Sequence, residues 1–257
     1  MYEEVSYERP FLKQVIARID FIAAADALQK SVPPSLAKTI SDHFPIVEPG
    51  EAFTTELQIQ LGEKVQEKQT IFKQWNYYGR DREKQCALAP SFVFTAYTRY
   101  TIYENMRDEF GVVIRTIEDA FPDLRAARFG LRYINNIEVT GLTPPTKWDE
   151  YICPELLGME AFSDRAEHLT RLFHVAELKY GDLNVRFQFG MPNPDSPAVI
   201  KRPLFTLDLD AYAQSAHEFK QALLYMDEAH NHIQDLFERS ITDKLRERMG
   251  VKPRKAI

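Results

Sequence analysis

The sequence predicts an α+β protein in which one order of elements, strand–helix–three strands–helix, occurs twice. Three observations lead to this prediction. Short segments alternate apolar and polar residues, which is typical of half-buried strands. Two long segments, 100–121 and 213–238, are predicted to be helices, the first because its apolar residues recur at three- and four-residue spacing. Similar short sequences precede both, Val-Phe-Thr at 93–95 and Leu-Phe-Thr at 204–206.

The first half of the chain, residues 1–126, begins with an alternating strand. Leu57, Ile59 and Leu61 alternate with glutamines, which indicates that the strand at 53–61 has one buried face and one face exposed to solvent. Pro90 is a point at which the last strand can break, because proline cannot donate to a sheet ladder. The predicted elements are a strand at 12–21, helical segments within 23–43, strands at 53–61, 69–78 and 84–98, and a helix at 100–121.

The second half, residues 127–257, repeats this order. Each half is expected to form a curved antiparallel sheet with a long helix on its apolar face, and the two halves are expected to form one compact unit. The predicted elements are a strand at 128–140, a short helix at 147–160, strands at 170–180, 182–191 and 201–210, and a helix at 213–238 that continues toward Met249.

This order resembles the TATA-box-binding-protein-like fold and its helix-grip relatives, in which two such halves join into one saddle-shaped sheet. The resemblance is one of topology, and a fold does not determine a function. It therefore implies an arrangement of strands and helices, and it does not imply DNA binding.

Composition and charge restrict the classes of function. The chain has 257 residues and a formal net charge of -6, which argues against broad, non-specific binding of nucleic acid. The two cysteines, Cys86 and Cys153, are expected to be free thiols in a reducing compartment. No signal peptide and no apolar run long enough to span a bilayer is recognised. The expected location is the cytoplasm, without a membrane partner.

No catalytic or cofactor-binding motif is recognised in the sequence. Neither a Gly-x-Ser-x-Gly elbow nor a glycine-rich phosphate loop occurs. Asp227 and His230 have the spacing of a helical metal-ligand pair, but such a site needs a matching pair on a second helix, and none is found. We therefore predict no cofactor and no metal site, assign no catalytic residue, and favour a protein without enzymatic activity.

Two polar groups are candidates for binding a ligand or a partner. Arginines on one face of the 128–140 strand could hold an anion, or they could pair with an acidic neighbouring strand. The paired asparagines that follow could mark a bulge or a polar site, or they could only bend the sheet. The long C-terminal helix adds a polar face. The candidate residues are Arg128, Arg132, Asn135, Asn136, Asp227 and His230.

A separate group of aromatic and basic residues is a candidate for contact with nucleic acid. Aromatic rings on a sheet can stack on bases, and the neighbouring basic residues can hold phosphates. Aromatic residues at a spacing of two are more often packed across neighbouring strands. The candidate residues are Lys73, Trp75, Tyr77, Arg80, Arg82 and Lys84.

Several motifs together resemble a sporadically distributed, uncharacterised bacterial family of proteins of similar length. The resemblance covers essentially the whole chain. The patchy occurrence of that family implies horizontally moved genes, such as phage-defence or toxin–antitoxin cargo. The motifs are Tyr7-x-x-Pro10-Phe11-Leu12, Gly130-Leu131-Arg132-Tyr133-Ile134-Asn135, Asp227-x-x-His230-x-x-Ile233, and Phe237-Glu238-x-Ser240-Ile241-Thr242-Asp243-x-Leu245-Arg246.

The last of these motifs also permits a structural interpretation. Ser240 is expected to cap the final helix, with Asp243 in the third helical position of a capping box. Glu238 and Arg246 are expected to form a buried polar link between helix and sheet. The recognisable residues of the family can therefore serve the fold.

Three functions are consistent with the sequence. The first is a non-catalytic interaction or regulatory protein, a monomer or homodimer whose partner is an effector encoded in the same operon. The second is a nucleic-acid-binding module that uses the wet face of the sheet. The third is a small-ligand sensor or enzyme with a pocket between the sheet and the long C-terminal helix.

Overall fold

The computed structural model describes residues 6–58, 66–99, 102–159, 166–215 and 218–250, and these residues form one nine-stranded sheet and four α-helices. The strands are β1 (Leu12–Phe21), β2 (Ile46–Gln58), β3 (Gln66–Tyr78), β4 (Lys84–Ala89), β5 (Phe92–Tyr97), β6 (Ala126–Glu138), β7 (Leu172–Tyr180), β8 (Leu183–Met191) and β9 (Leu204–Ala213). The helices are α1 (Pro34–His43), α2 (Tyr103–Ala120), α3 (Phe219–Ser240) and α4 (Asp243–Met249).

The two halves of the chain share a single antiparallel sheet with the strand order β2-β3-β4-β5-β1-β6-β9-β8-β7. The first strand of each half, β1 or β6, lies in the middle, and the other strands of that half extend outward from it. The predicted α+β fold class is thereby confirmed. The predicted division between residues 126 and 127 falls at the first residues of β6.

The last predicted strand of the first half, 84–98, is two strands. β4 and β5 form a hairpin in which Ala89 pairs with Phe92, and Pro90 and Ser91 make the turn. The strands break at Pro90 because proline has no backbone N–H to donate to a sheet ladder. In the turn between β4 and β5 no such donor is needed. The first half therefore has four strands after α1, one more than the second half.

The strand predicted at 53–61 begins earlier than expected, because residues 46–50 also belong to it. They are the first part of β2, in which Pro49 pairs with Trp75 of β3. A proline is tolerated there because β2 is an edge strand, so no neighbouring strand requires the missing N–H on its outer side. Residues 59–61 of the predicted strand lie outside the described residues.

The short helix predicted over 147–160 is also wrong. The described part of that segment consists of turns, a 3-10 turn at Pro154–Leu156 and two helical residues at its end. Its backbone pairs with the chain after α3 instead: Ile152 bridges Ile241, and the N–H of Cys153 donates to the carbonyl of Ser240 at 2.9 Å. These hydrogen bonds replace the ones that a helix would have made.

One face of the sheet, here called the helix face, carries the core. Alternate residues of the strands point to it and are fully buried, such as Val15 and Ile19 of β1 and Phe129 and Leu131 of β6. α3 lies against β6, β8 and β9, and α2 packs beside α3. None of the described helices combines the length and the apolar character that crossing a membrane requires.

The opposite face, here called the open face, has no described helix packed against it. Its residues alternate with the buried ones along the same strands and keep part of their surface accessible. A shallow depression runs along its centre and is lined by Gln14, Ile16, Arg18, Phe94, Arg128, Arg132 and Asp210, among others.

Candidate functional site

The predicted arginines of β6 lie on the open face, and each meets an acidic residue of β9. Arg132 donates from Nε and Nη2 to the two carboxylate oxygens of Asp208, at 2.8 and 2.5 Å. Arg128 contacts Asp210 at 3.4 Å. Of the two alternatives that the sequence left open, pairing with an acidic neighbouring strand is therefore the one that occurs. The hydrogen bonds that Arg132 donates to Asp208 raise the pKa of Arg132, so its guanidinium stays charged.

The pairing of charges continues across the open face. Arg18 contacts Asp20 at 2.6 Å on β1, and Arg186 of β8 donates to Glu177 of β7 at 2.7 Å. Burial raises the pKa of Asp210 even though Arg128 and other arginines oppose the shift. Four arginines of this face are thus each matched by a carboxylate.

Aromatic and apolar groups lie between and beside these ion pairs. The guanidinium of Arg18 lies 4.1 Å from the ring centre of Phe92, and that of Arg128 lies 5.0 Å from the ring centre of Tyr212. At the far edge, Phe173 and Val175 of β7 are 39% and 59% exposed. Two neighbouring apolar side chains are thus accessible at this edge of the open face.

Gly130 leaves room for the side chain of Arg128 to reach Asp210. It lies on β6 between the two predicted arginines, and a Cβ at this position would be 2.7 Å from Nη1 of Arg128. The absence of a side chain lets the Arg128 guanidinium lie flat on the strand and reach Asp210. The Gly-Leu-Arg motif of the sequence thus has a packing reason.

The two predicted asparagines point to opposite faces. Asn136 accepts a hydrogen bond from the Thr206 hydroxyl at 3.1 Å, whereas Asn135 is 5% exposed on the helix face and donates to the Leu207 carbonyl at 3.3 Å. A register shift does occur beside Asn135, but the extra residue is Lys13 of β1. The bulge is therefore in the neighbouring strand, and β6 itself pairs regularly with β9.

Asp227 and His230 lie on the helix face, on the side of α3 that meets α2. Asp227 is held by Arg107 at 2.5 and 2.8 Å and by the Tyr103 hydroxyl at 2.5 Å. Burial would raise the pKa of Asp227, but these hydrogen bonds hold it below its ordinary value. Within the described residues, no group of three or more His, Cys, Asp or Glu side chains is placed to hold a metal ion.

His230 is enclosed on both sides. Its ring stacks on Tyr103, with centroids 3.8 Å apart and planes 2° from parallel, and its Nδ1 lies 3.1 Å from the Tyr133 hydroxyl. Burial lowers the pKa of His230 to about 4, although Glu104 and Asp227 oppose the shift. The imidazole is therefore neutral at physiological pH. Arg128, Arg132 and Asn136 lie on the other side of the sheet, so the predicted site residues do not form one pocket.

Close to His230, the carboxylate of Glu238 is 2% exposed. It accepts hydrogen bonds from the Tyr7 hydroxyl at 2.8 and 3.0 Å and from Nε of Arg246 at 2.9 Å. The predicted pairing of Glu238 with Arg246 is therefore present, but it joins α3 to α4 and not a helix to the sheet. The contact with Tyr7 also ties the N-terminal segment to α3. Burial and the contact with Glu238 raise the pKa of Tyr7.

The predicted capping role of Ser240 is wrong. Its hydroxyl donates to the Leu236 carbonyl at 2.6 Å, inside α3. The residue at the start of α4 is Thr242, and its hydroxyl donates to the Glu150 carbonyl. Asp243 instead pairs with Arg246 at 2.8 Å.

The residues predicted to contact nucleic acid are not arranged as one stacking surface. Tyr77 is 2% exposed on the helix face. Trp75 is partly buried, donates its indole N–H to the Leu28 carbonyl at 2.9 Å, and has the Lys73 ammonium 4.7 Å from its ring centre. These three side chains therefore contact the rest of the fold.

The basic residues of the same group lie at the β3–β4 turn. Arg82 forms a salt bridge with Glu48, and Lys84 is 2.5 Å from Glu109 of α2. Arg80 is exposed in the turn. Two of these three charges are thus already matched by carboxylates.

Sequence analysis does not identify Tyr103, Arg107, Asp208 or Asp210 as site residues. Asp208 and Asp210 could have been recognised from the sequence as residues of the open face, because they alternate along β9 with Leu207 and other buried residues. Tyr103 and Arg107 are four residues apart and lie on one face of α2, but their partner on α3 is more than 100 residues away. Nothing local in the sequence indicates that contact.

Comparison with known proteins does not add a function. No protein-family model matches the chain, and no curated protein matches it. The resemblance of its motifs to an uncharacterised bacterial family therefore stays a prediction, and the function has to be argued from the geometry.

Proposed function

We propose that the chain is a non-catalytic interaction or regulatory protein that binds a protein partner on its open face. The observation that carries this proposal is the open face itself: strands from both halves contribute to it, no described helix covers it, and it combines matched charges with accessible apolar groups. Such a mixture is typical of non-obligate protein interfaces, which are about as apolar as the rest of a protein surface.

The matched charges favour a protein over a nucleic acid as the partner. Binding to a phosphate backbone requires cations that are free to replace counterions. On the open face Arg18, Arg128, Arg132 and Arg186 each contact a carboxylate already. A phosphate would have to displace Asp or Glu from them, whereas a protein can complement an alternating pattern of both signs.

The resemblance to a sporadically distributed bacterial family, whose patchy occurrence implies horizontally moved genes, suggests the kind of partner. We propose an effector encoded beside this protein in a bacterial defence or toxin–antitoxin type system. The protein would then hold or regulate the effector without reacting with it.

A matched pair of variants tests the use of the open face. Val175→Glu places a charge on the open face, and Leu224→Glu places one on the opposite side of the molecule, on α3; the two side chains are 59% and 55% exposed. Because a buried, unpaired charge is costly, we expect Val175→Glu to weaken the partner's affinity at least tenfold, or about 1.4 kcal/mol. Leu224→Glu is expected to change the partner's affinity by less than about twofold.

The measurement is a pull-down of the tagged protein expressed with its native gene neighbours, followed by titration of the recovered partner. Thermal melting of both variants checks that they are folded. Recovery of this chain alone, or equal affinity of the two variants for the partner, contradicts the proposal.

A further inference from the structure

β7 is an edge strand of the sheet, and within the described part of the chain no strand lies on its outer side. Its 9 residues pair with β8 without a register shift. Among the described residues, only those of β8 form backbone hydrogen bonds with it. Such an edge is a template for another strand, because a row of backbone donors and acceptors points away from the sheet.

The outward-pointing backbone groups of β7 belong to alternate residues. Tyr180 and Leu183 pair across a two-residue turn, and the pair that closes such a turn exchanges both of its backbone hydrogen bonds. Counted back from Tyr180 by twos, the even-numbered residues therefore bond to β8. The residues whose N–H and C=O point outward are Phe173, Val175, Glu177 and Lys179, and their side chains are exposed on the open face.

β7 carries little of the protection that proteins usually give to an edge strand, which is proline, a bulge or several charges. The other edge strand, β2, contains Pro49 followed by Gly50. β7 contains neither proline nor glycine, and its one lysine, Lys179, is next to its last residue. Its one acidic residue, Glu177, is already paired with Arg186 of β8. The edge is therefore open to pairing over most of its length.

The first half of the chain shows how a strand at this position is covered. Counted outward from the middle of the sheet, β7 is the fourth strand of its half, after β6, β9 and β8. The fourth strand of the other half, after β1, β5 and β4, is β3. The outer edge of β3 is covered along its whole length by β2, which runs antiparallel to it. The strand order thus places β7 where the other half has an antiparallel neighbour.

A second copy of β7 fits this position, because the strand is complementary to itself about its middle residue, Ala176. In an antiparallel pair centred there, the whole strand overlaps, and the two Ala176 residues meet at a non-hydrogen-bonded position with Cα atoms about 4.5 Å apart, where a small side chain fits. Phe173 then faces the partner's Lys179. Val175 faces the partner's Glu177, so no like charges are directly opposed.

We infer that two copies of this chain join their sheets edge to edge through β7, with a two-fold axis at Ala176. The joint ladder gains about eight backbone hydrogen bonds, one from each outward N–H of the two copies. It also covers the partly exposed row that β7 presents to the helix face, which includes Leu172, Leu178 and Tyr180. The inference does not depend on the proposed effector, because the dimer forms from the purified chain alone.

Sedimentation equilibrium of the purified full chain is expected to show a monomer–dimer equilibrium with a dissociation constant of about 100 µM or below, as a small interface predicts. Val175→Pro removes an outward N–H and leaves the bonds to β8 in place, as proline on an edge strand does. It is expected to weaken the dimer at least about tenfold. Val175→Thr is the matched control, since it keeps the N–H and a β-branched side chain, and is expected to stay within about twofold.

Disulfide formation between copies tests the position of the axis. Ala176→Cys is expected to form an intermolecular disulfide under mild oxidation, because only a residue on the axis lies within disulfide distance of its own copy. Leu178→Cys is the control, since its copy lies about 13 Å away along the strand. The unmodified protein, with Cys86 and Cys153, gives the background.

Hydrogen exchange on the unmodified protein keeps the inference testable if Val175→Pro does not fold. The outward amides, at 173, 175, 177 and 179, are expected to exchange at least about threefold more slowly at about 1 mM protein than at about 10 µM, whereas the even-numbered amides of β7 keep their rates. A chain that stays monomeric up to about 1 mM overturns the inference. Equal dimerisation of the proline and threonine variants, or no disulfide from Ala176→Cys above background, overturns it as well.

Discussion

Replacing Glu238 by leucine is expected to lower the free energy of unfolding by about 3 kcal/mol, the largest effect expected of any substitution considered for this protein. The carboxylate is 2% exposed and holds both Tyr7 and Arg246. Its removal leaves the Tyr7 hydroxyl without this acceptor and takes the buried carboxylate away from the Arg246 guanidinium, which keeps its contact with the exposed Asp243. The side chain of Arg246 is 23% exposed, and this residual solvation keeps the cost near the lower end of the range for a broken buried pair.

Urea unfolding, followed by circular dichroism, measures this change. Glu228→Leu is the matched control, since Glu228 is on the same helix and exposed; its effect is expected to stay within about 0.5 kcal/mol. If Glu238→Leu unfolds at the same urea concentration as the wild type, the polar link does not stabilise the fold and the account of the C-terminal motif is wrong.

Acidification from pH 7.5 to pH 5 is expected to destabilise the protein by about 2 kcal/mol through His230 alone. Burial lowers the pKa of His230 in the folded state to about 4, against an ordinary value of 6.5. Above pH 6.5 both the folded and unfolded states hold a neutral imidazole, so stability is full. As the pH falls toward 4, the unfolded state binds the proton first, and stability is lost. The neighbouring Glu104 and Asp227 favour the charged ring but do not outweigh burial.

The contribution of His230 is isolated by comparing unfolding curves of the wild type and His230→Phe at each pH. Between pH 7.5 and pH 5 the wild type is expected to lose about 2 kcal/mol of unfolding free energy relative to His230→Phe, whatever other groups titrate. Leu224→Gln, an exposed change on the same helix, is expected to keep the wild-type profile. Parallel profiles of the wild type and His230→Phe mean that the imidazole is not buried as described.

The strands and helices were largely predictable because the sequence patterns that indicate them are local. Alternation in strands such as β1 and β6 follows from a sheet with one buried face, and Val15, Ile19 and Leu131 show it directly. The errors lie where tertiary contacts override local pattern. The N–H of Cys153 bonds to the chain after α3 instead of within a helix, and Pro49 is accepted in β2 because that strand is at the edge.

The candidate site was predictable only in part. Asn135 and His230 do line one cavity, and the family-like motifs contain both. Arg132 does not join them, because residues 132 and 135 are an odd number apart on a regular strand and so face opposite ways. Tyr103 is brought against His230 by the packing of α2 on α3, which no local pattern specifies.

The central claim, that the open face receives a protein partner, is tested most directly by photo-cross-linking in the native host. A photoreactive side chain is placed in turn at positions 175 and 94 on the open face, and at position 224 on α3 as a control. The account predicts that positions 175 and 94 capture one and the same protein and that position 224 does not. Capture of that protein from position 224 alone, or of nucleic acid from positions 175 and 94, would contradict it.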